Sequence, residues 1–391
     1  MESGGAMTVR GWSTGARAAC LAGVLLAGGG RGRADGVPAS MDWRPPATDL
    51  LADSVHHARM KFAREGPPYA CHAPGQSREI ARNLLLWQNP DGGWPKNKDW
   101  FQVLGAAERA AILAGRGKKA DRSTLDNGST WGQLSYLAQV RRHSGTTDCD
   151  AALLRGVEYL LAAQRPSGGW RGSDVDAVTF NDQVMVGVLR TLKQVADDLS
   201  LYGFLDVRLR SRAREAFGRG LACLLRCQVR VDGKLTAWGQ QHDHGTCRPV
   251  WGRRYEPPAL ATRESCEIVE FLLELDRPSK EVVRAVRAAA DWLASVRIDG
   301  RRLVSIPAEP VVDHYQLSTT DWVLVEDPAA PPLWARFYDP RSRKPVFCSR
   351  EGVLLDRYED LTRERRTGYE WLGTWPAALL RDRIPAWRGR P

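Results

Sequence analysis

Four short stretches of the chain carry side chains able to do chemistry. STLDNGST at 123–130 sets Asp126 beside Asn127, and TFNDQVM at 179–185 sets Asp182 directly after an asparagine. Carboxylate and amide oxygens drawn together suit a hard cation such as Ca²⁺, which takes oxygen ligands. Each stretch also stands just before an apolar, helix-like run, so capping of a helix N-terminus by the side chain is the simpler reading of both. The third stretch, PVWGRRYEPPAL at 249–260, places Arg253, Arg254 and Tyr255 ahead of Glu256 and two prolines. Proline fixes φ, so these guanidinium groups ride on a stiff loop. The fourth, WARFYDPRSRKPVFCSREG at 334–352, adds Arg336 and Arg350 among aromatic residues. Arginines held this way bind carboxylates in a planar, bidentate manner, although solvated surface charge is the default for most arginines of the chain.

The elements that must position these residues show themselves as repeats. LLLWQNPDGGWPKN at 84–97 runs from an apolar helical end into a turn, then a tryptophan, a proline and Lys96. EYLLAAQRPSGGWRGS at 158–173 and LACLLRCQVRVDGKLTAWGQQHD at 221–243 repeat the plan, and AADWLASVRIDGRRLVS at 289–305 is a weaker fourth copy. The turn glycines Gly92, Gly168, Gly233 and Gly300 recur at intervals of 65 to 76 residues, room for two helices per unit. Segments such as SREIARNLLLWQ, DQVMVGVLRTLKQVADDL and ESCEIVEFLLEL space apolar residues by three and four, the period of a buried helix face. Strand-like alternation is confined to short stretches such as DGRRLVSI. The pattern predicts an all-α incomplete (α/α) toroid of helical hairpins, with the loops at one end forming a groove. Trp94, Trp170 and Trp238 are expected at or near the groove rim, meeting a ligand with flat surfaces or plugging the gaps between helix pairs.

The chain has 391 residues, 43% hydrophobic and 26% charged, an ordinary globular balance. Its first 35 residues combine Arg10 and Arg17 with AACLAGVLLAGGG, the plan of a signal peptide, which predicts a secreted or periplasmic protein with a single domain over 36–391. That apolar run falls short of the ~20 residues a spanning helix needs, so no membrane role is expected. Seven cysteines follow Cys20, an odd number without zinc-site spacing; Cys223 and Cys227 share a helix face and read as small hydrophobes. The formal charge of +10 implies a polyanionic partner. Dispersed basic residues, no nucleic-acid motif and the export signal argue against nucleic acid, and favour an acidic polysaccharide.

NLLLWQNPDGGWPKN, STLDNGST, TFNDQVM, DGKLTAWGQQHD, RRYEPPAL, WARFYD and ERRTGYEW, in that order, resemble the pectate lyases of polysaccharide lyase family ten. The resemblance implies an incomplete α/α toroid, a Ca²⁺ cofactor and cleavage of polygalacturonate by β-elimination, by an enzyme expected to be monomeric. It assigns calcium to Asp126 and Asp182, with Asn127 as a further ligand, and abstraction of the C5 proton to Arg253, or to Arg254 if the correspondence shifts by one. It assigns Arg254, Tyr255, Arg336, Arg350 and Lys96 to the substrate. An arginine base must have its high pKa lowered, by Arg254, the calcium and desolvation. Gln183 departs from the family's Asn-Asp-Asp pattern and removes an acidic group. Two other readings remain: an α/α-toroid glycoside hydrolase using Asp126 and Asp182 as acid and base, and a catalytically inactive glycan-binding protein.

Overall fold

A computed structural model describes residues 49–62, 66–313 and 316–387; the predicted signal peptide, 1–35, lies outside them. Helices α1 (Asp49–Arg59), α2 (Ser77–Trp87) and α3 (Ala106–Gly115) come first. Three hairpins follow: α4 (Trp131–Ser144) with α5 (Asp150–Ala162), α6 (Val184–Asp197) with α8 (Val207–Arg226) across the short α7 (Leu199–Tyr202), and α9 (Thr262–Leu273) with α10 (Lys280–Ser295). Neighbours run α2, α4, α6, α9 along an inner row, and α5, α8, α10 along an outer one. Burial separates the two rows. The inner α6 buries ten of its fourteen residues, whereas α8 buries six of twenty along one stripe. This is the expected helical toroid, and it does not close into a barrel.

The repeated turns work as clasps. Gln88, Gln164 and Gln228 each donate twice from Nε2, once to their own turn (Gly92, Gly168 and Thr236 carbonyls) and once to a carbonyl of the following outer helix (Ala152, Ala216 and Ala285), all at 2.8–2.9 Å. The turn must therefore press against that helix. A Cβ on Gly168 would lie 2.4 Å from the Arg219 carbonyl oxygen, and its φ of +88° is one that side chains rarely adopt. Each tryptophan then closes its unit: Trp94, Trp170 and Trp238 are fully buried and donate from the indole to the Leu84, Leu160 and Leu224 carbonyls at 2.8 Å. The expected position at the groove rim is corrected here. An indole N–H that finds a carbonyl inside the repeat can be buried without loss, so these rings plug the wall and offer no face to a ligand.

In the fourth copy the turn at Gly300 opens into a ribbon of Arg301–Asp313 paired with Gln316–Glu326, and the plugging tryptophan, Trp334 on the Leu293 carbonyl, comes only after it. DGRRLVSI is the start of that ribbon. All seven cysteines after Cys20 are thiols, and Cys223 and Cys227 are buried as small apolar groups. No described helix is long and apolar enough to cross a membrane.

Candidate active site

The loops entering α4 and α6 and the first turn of α9 meet at one end of the inner row. Helix N-termini leave backbone N–H groups unpaired and carry partial positive charge, so this end of the ring favours anions. Neither Asp126 nor Asp182 caps a helix, which corrects the simpler reading. Thr130 occupies the N-cap of α4 and Gln183 that of α6, without side-chain capping bonds, while α8 and α10 are capped by Asp206 and Ser279. Both acidic loops are strained instead. Asn127 (φ 49°), Thr130 (φ 64°), Asp182 (φ 51°) and Gln183 (φ 57°) all adopt left-handed backbone, unusual for any non-glycine residue and most of all for the β-branched Thr130. Such conformations persist only where surrounding structure holds them. Here Trp94 N–H donates to Thr130 Oγ1, Thr124 N–H to the Trp94 carbonyl and Ser129 Oγ to the Pro95 carbonyl, so the Lys96 turn is stitched to the Asp126 loop.

That stitching delivers Lys96 to Asp126. Its ammonium donates to Asp126 Oδ2 and, at 2.6 Å, to Ser173 Oγ, and Ser173 donates to the same carboxylate oxygen at 2.7 Å. Burial opposes the charge on Asp126, but Lys96 and Ser173 outweigh it and hold the carboxyl below its usual range. Asp182 shows the opposite balance. Burial and the Asp126 charge push it well above the carboxylate range, and Arg336 and Arg253 only partly offset them. Two interacting carboxylates, the buried Asp126 and the half-buried Asp182, with an ammonium on the first alone, form a site short of positive charge. Among the described residues no group of three or more histidine, cysteine or acidic side chains forms a metal cage. The protein therefore offers two carboxylates with the neutral oxygens of Ser173 and Asn181 beside them, a set that suits a hard cation with ligand positions left for another carboxylate.

An open cleft is lined by Asp126, Ser173, Thr179, Asn181, Arg253 and Glu256, among others. Arg253 is the arginine of the sequence reading that lines it. Its Nε and Nη2 donate to Glu256 Oε1 at 3.0 and 2.6 Å, and its guanidinium lies 5.0 Å from the Tyr255 ring centre. Burial lowers its proton affinity and Glu256 raises it, the net effect being upward. Arg254 points to solvent with its stem against Gly352. Tyr255 is sandwiched by arginines, with Arg350 at 5.6 Å and Arg365 at 4.6 Å as well as Arg253. Arg350 is tied to Glu364 on the flank toward the ribbon. Asn127 spends its amide on Asn97 Oδ1 at 2.7 Å.

Arg336 differs most from its expected role as a surface clamp. It is 5% exposed, bonded to Glu264 and, at 3.1 Å, to Asn181 Oδ1, and stacked 4.6 Å from the Tyr369 ring centre. It lies beneath the cleft and steadies Asn181, which in turn donates to Asp182 Oδ2 at 2.8 Å. Ser173, Asn181, Gln240, Glu256, Glu264 and Tyr369 went unselected in the sequence. Gln240, Glu256 and Tyr369 stand inside QQHD, RRYEPPAL and ERRTGYEW, so the signal was present but drowned by the charged neighbours. Arg122 and Arg171, which converge on the Ser173 carbonyl at 3.2 and 3.1 Å beside the cleft, carried no sequence signal.

The family model described as pectic acid lyase matches residues 88–380. Among solved structures the chain is similar to a family 10 polysaccharide lyase from Cellvibrio cellulosa, with 27% identity and a TM-score of 0.65 over 77% of this chain and 89% of that one. It is also similar to a mutant of a family 10 polysaccharide lyase from the same organism in complex with trigalacturonic acid, with 24% identity and a TM-score of 0.65 over 86% of this chain and 96% of that one. Curated proteins yield no match.

Proposed function

The chain belongs to the pectic acid lyase family and is a pectate lyase by that membership; on this premise we propose that it cleaves polygalacturonate by calcium-assisted β-elimination, with Arg253 as the base. The observation that carries the proposal is a cleft lined by Asp126 and Arg253, with the half-buried Asp182 close enough to feel the charge of both. Asp126 and Asp182 would hold the calcium, with Asn127 bracing the first loop through Asn97. A calcium ion held by them would supply Lewis-acid chemistry, polarising the uronate carboxylate and so acidifying the proton on C5.

The residues of the chain supply the rest. Arg253 takes the C5 proton, the C5–H electron pair becomes the C4=C5 bond, and the C4–oxygen bond breaks with its electrons left on the departing sugar oxygen, which is protonated by water. Arg253 must act as a neutral guanidine. Glu256 resists that state, whereas burial favours it. Lys96, once exchanged from Asp126, and Arg350 on the flank bind uronate carboxylates. Arg254 and Tyr255 extend the same rim, and Arg336 acts through Asn181. The trigalacturonic acid held by a relative and the net charge of +10 support an acidic polysaccharide substrate. The basic and apolar start of the chain supports export.

Hydrolysis by an Asp126/Asp182 pair finds less support, because Asp126 is already held by Lys96 and Ser173. Incubation of the purified protein with polygalacturonate, with ultraviolet absorbance followed before and after chelation, separates the readings. Elimination leaves a C4=C5 bond conjugated to the carboxylate, and the signal should vanish with chelator and return with calcium. New reducing ends without absorbance would establish hydrolysis instead.

A further inference from the structure

We infer that Glu256 is a positioning residue, whose buried carboxylate locks the Arg253 guanidinium edge-on and leaves Nη1 as the nitrogen that accepts the C5 proton. The inference rests on Arg253 being the base.

Glu256 is 1% exposed, yet it lies three residues from a half-exposed arginine. Its Oε1 accepts from Nε and Nη2 of Arg253, and its Oε2 accepts from the Arg253 backbone N–H at 2.8 Å. One carboxylate thus fixes both ends of the same residue. The backbone closes the turn in parallel, with Glu256 N–H on the Arg253 carbonyl at 2.8 Å and Gly252 N–H on the Glu256 carbonyl at 3.0 Å. Gly252 makes the arrangement possible. A Cβ there would stand 2.4 Å from Gln241 Oε1 and 2.6 Å from Glu256 Oε2, so any larger residue crowds both the carboxylate and its amide neighbour.

With the edge held by Glu256 and the face covered by Tyr255, Nη1 is the guanidinium nitrogen for which the described residues show no partner. The lock has a footing on the opposite wall. Tyr369 donates to Glu256 Oε1 at 3.4 Å and accepts from Gln240 at 3.2 Å, and Gln240 donates onward to Glu264 and Asn181. Asn181 reaches Asp182, so one hydrogen-bonded chain joins the support of the base to the acidic pair. The titratable and charged groups around Arg253 are Tyr255 and Glu256 from its own loop, Tyr369 from the far wall, Asp182 from the loop before α6, and Asp126 and Asp174, which line the same cleft.

Such a lock has two separable effects. Orientation of Nη1 raises turnover, and the carboxylate charge retains the Arg253 proton and so moves the pH at which the base becomes competent upward. The test measures kcat and KM on polygalacturonate across neutral and alkaline pH for the wild type, Glu256→Gln, Glu256→Asp and Gly252→Ala. Glu256→Gln should lower the plateau kcat about tenfold to a hundredfold, less than the 10²–10⁴ a base itself contributes, with KM changed by less than about twofold and the alkaline limb moved to lower pH. Glu256→Asp and Gly252→Ala keep the charge, so their limbs should stay while their plateaus fall. A wild-type limb in Glu256→Gln, with or without loss of kcat, overturns the inference, because a merely structural role would not move it. If Glu256→Gln does not fold, wild-type plateaus in the other two variants overturn it equally. Failure of the underlying reading has a different signature: no unsaturated product from the wild type, or full kcat in Arg253→Lys.

Discussion

Replacing Lys96 with methionine removes the ammonium from Asp126 while keeping the unbranched stem that carries it. Breaking a fully buried pair costs about 3–5 kcal/mol and an exposed one about 0–1. Lys96 is 30% and Asp126 9% exposed at the side chain, and Asp126 retains the Ser173 bond, so the loss should be about 1–3 kcal/mol. The figure applies to protein in chelator, where Asp126 then faces Asp182 without its ammonium partner. Calcium should restore more than it does in the wild type, because it no longer has to displace an ammonium. A ligand at a hundred times its Kd contributes about 2.7 kcal/mol. Urea unfolding of the wild type, Lys96→Met, Asp126→Asn and the double variant, each in chelator and in calcium, gives the coupling directly. In chelator the double variant should recover much of the single-variant loss, with a coupling of at least about 0.5 kcal/mol. Additive losses, or a Lys96→Met protein as stable as the wild type in chelator and no more responsive to calcium, would refute the picture of an internal cation on a metal-binding carboxylate.

Two further outcomes concern the scaffold. Gln228→Ala removes the donor to the Thr236 carbonyl and the extra donor to the Ala285 carbonyl, which keeps its place in the α10 ladder, so urea unfolding should show a loss of about 1–3 kcal/mol with unchanged kcat per folded molecule; a loss under about 0.5 kcal/mol would show that the clasp is dispensable. Trp170→Phe removes the bond to the Leu160 carbonyl and leaves a small void, and should lower stability by about 1–3 kcal/mol without changing KM, whereas a raised KM with intact stability would return the ring to the groove.

The ring of hairpins was legible because each of the first three copies keeps its apolar run, glutamine, glycine turn and tryptophan together in the chain. The role of the tryptophan was not, since an indole stacked on sugar and an indole sealing a wall need the same residue at the same place. What decides between them is the Leu84, Leu160 and Leu224 carbonyls, ten to fourteen residues away. Asp126, Asp182, Arg253 and Lys96 do converge, as their motifs implied, but the partnership of Lys96 with Asp126 depends on two loops meeting across 30 residues. Arg336 shows the limit most plainly. Its guanidinium, read as a surface clamp, is captured by Glu264 from a helix 72 residues earlier, and no local pattern announces such a partner. Glu256 was hidden in plain view, its carboxylate looking ordinary beside two arginines until burial showed that it holds one of them.

The central claim is that Arg253 removes the C5 proton of a uronate held at a calcium site, and steady-state kinetics of Arg253→Lys on polygalacturonate in calcium tests it most directly. Lysine keeps the positive charge but changes the reach and orientation of the nitrogen, and a base must lie within about 2.6–3.2 Å of the atom it deprotonates. The account predicts a kcat lower by about 10²–10⁴ with KM nearly unchanged, since a base acts on the transition state and not on ground-state binding. A collapse of kcat in Arg254→Lys with Arg253→Lys intact would move the base by one residue, and near-normal kcat in both variants would contradict an arginine base altogether.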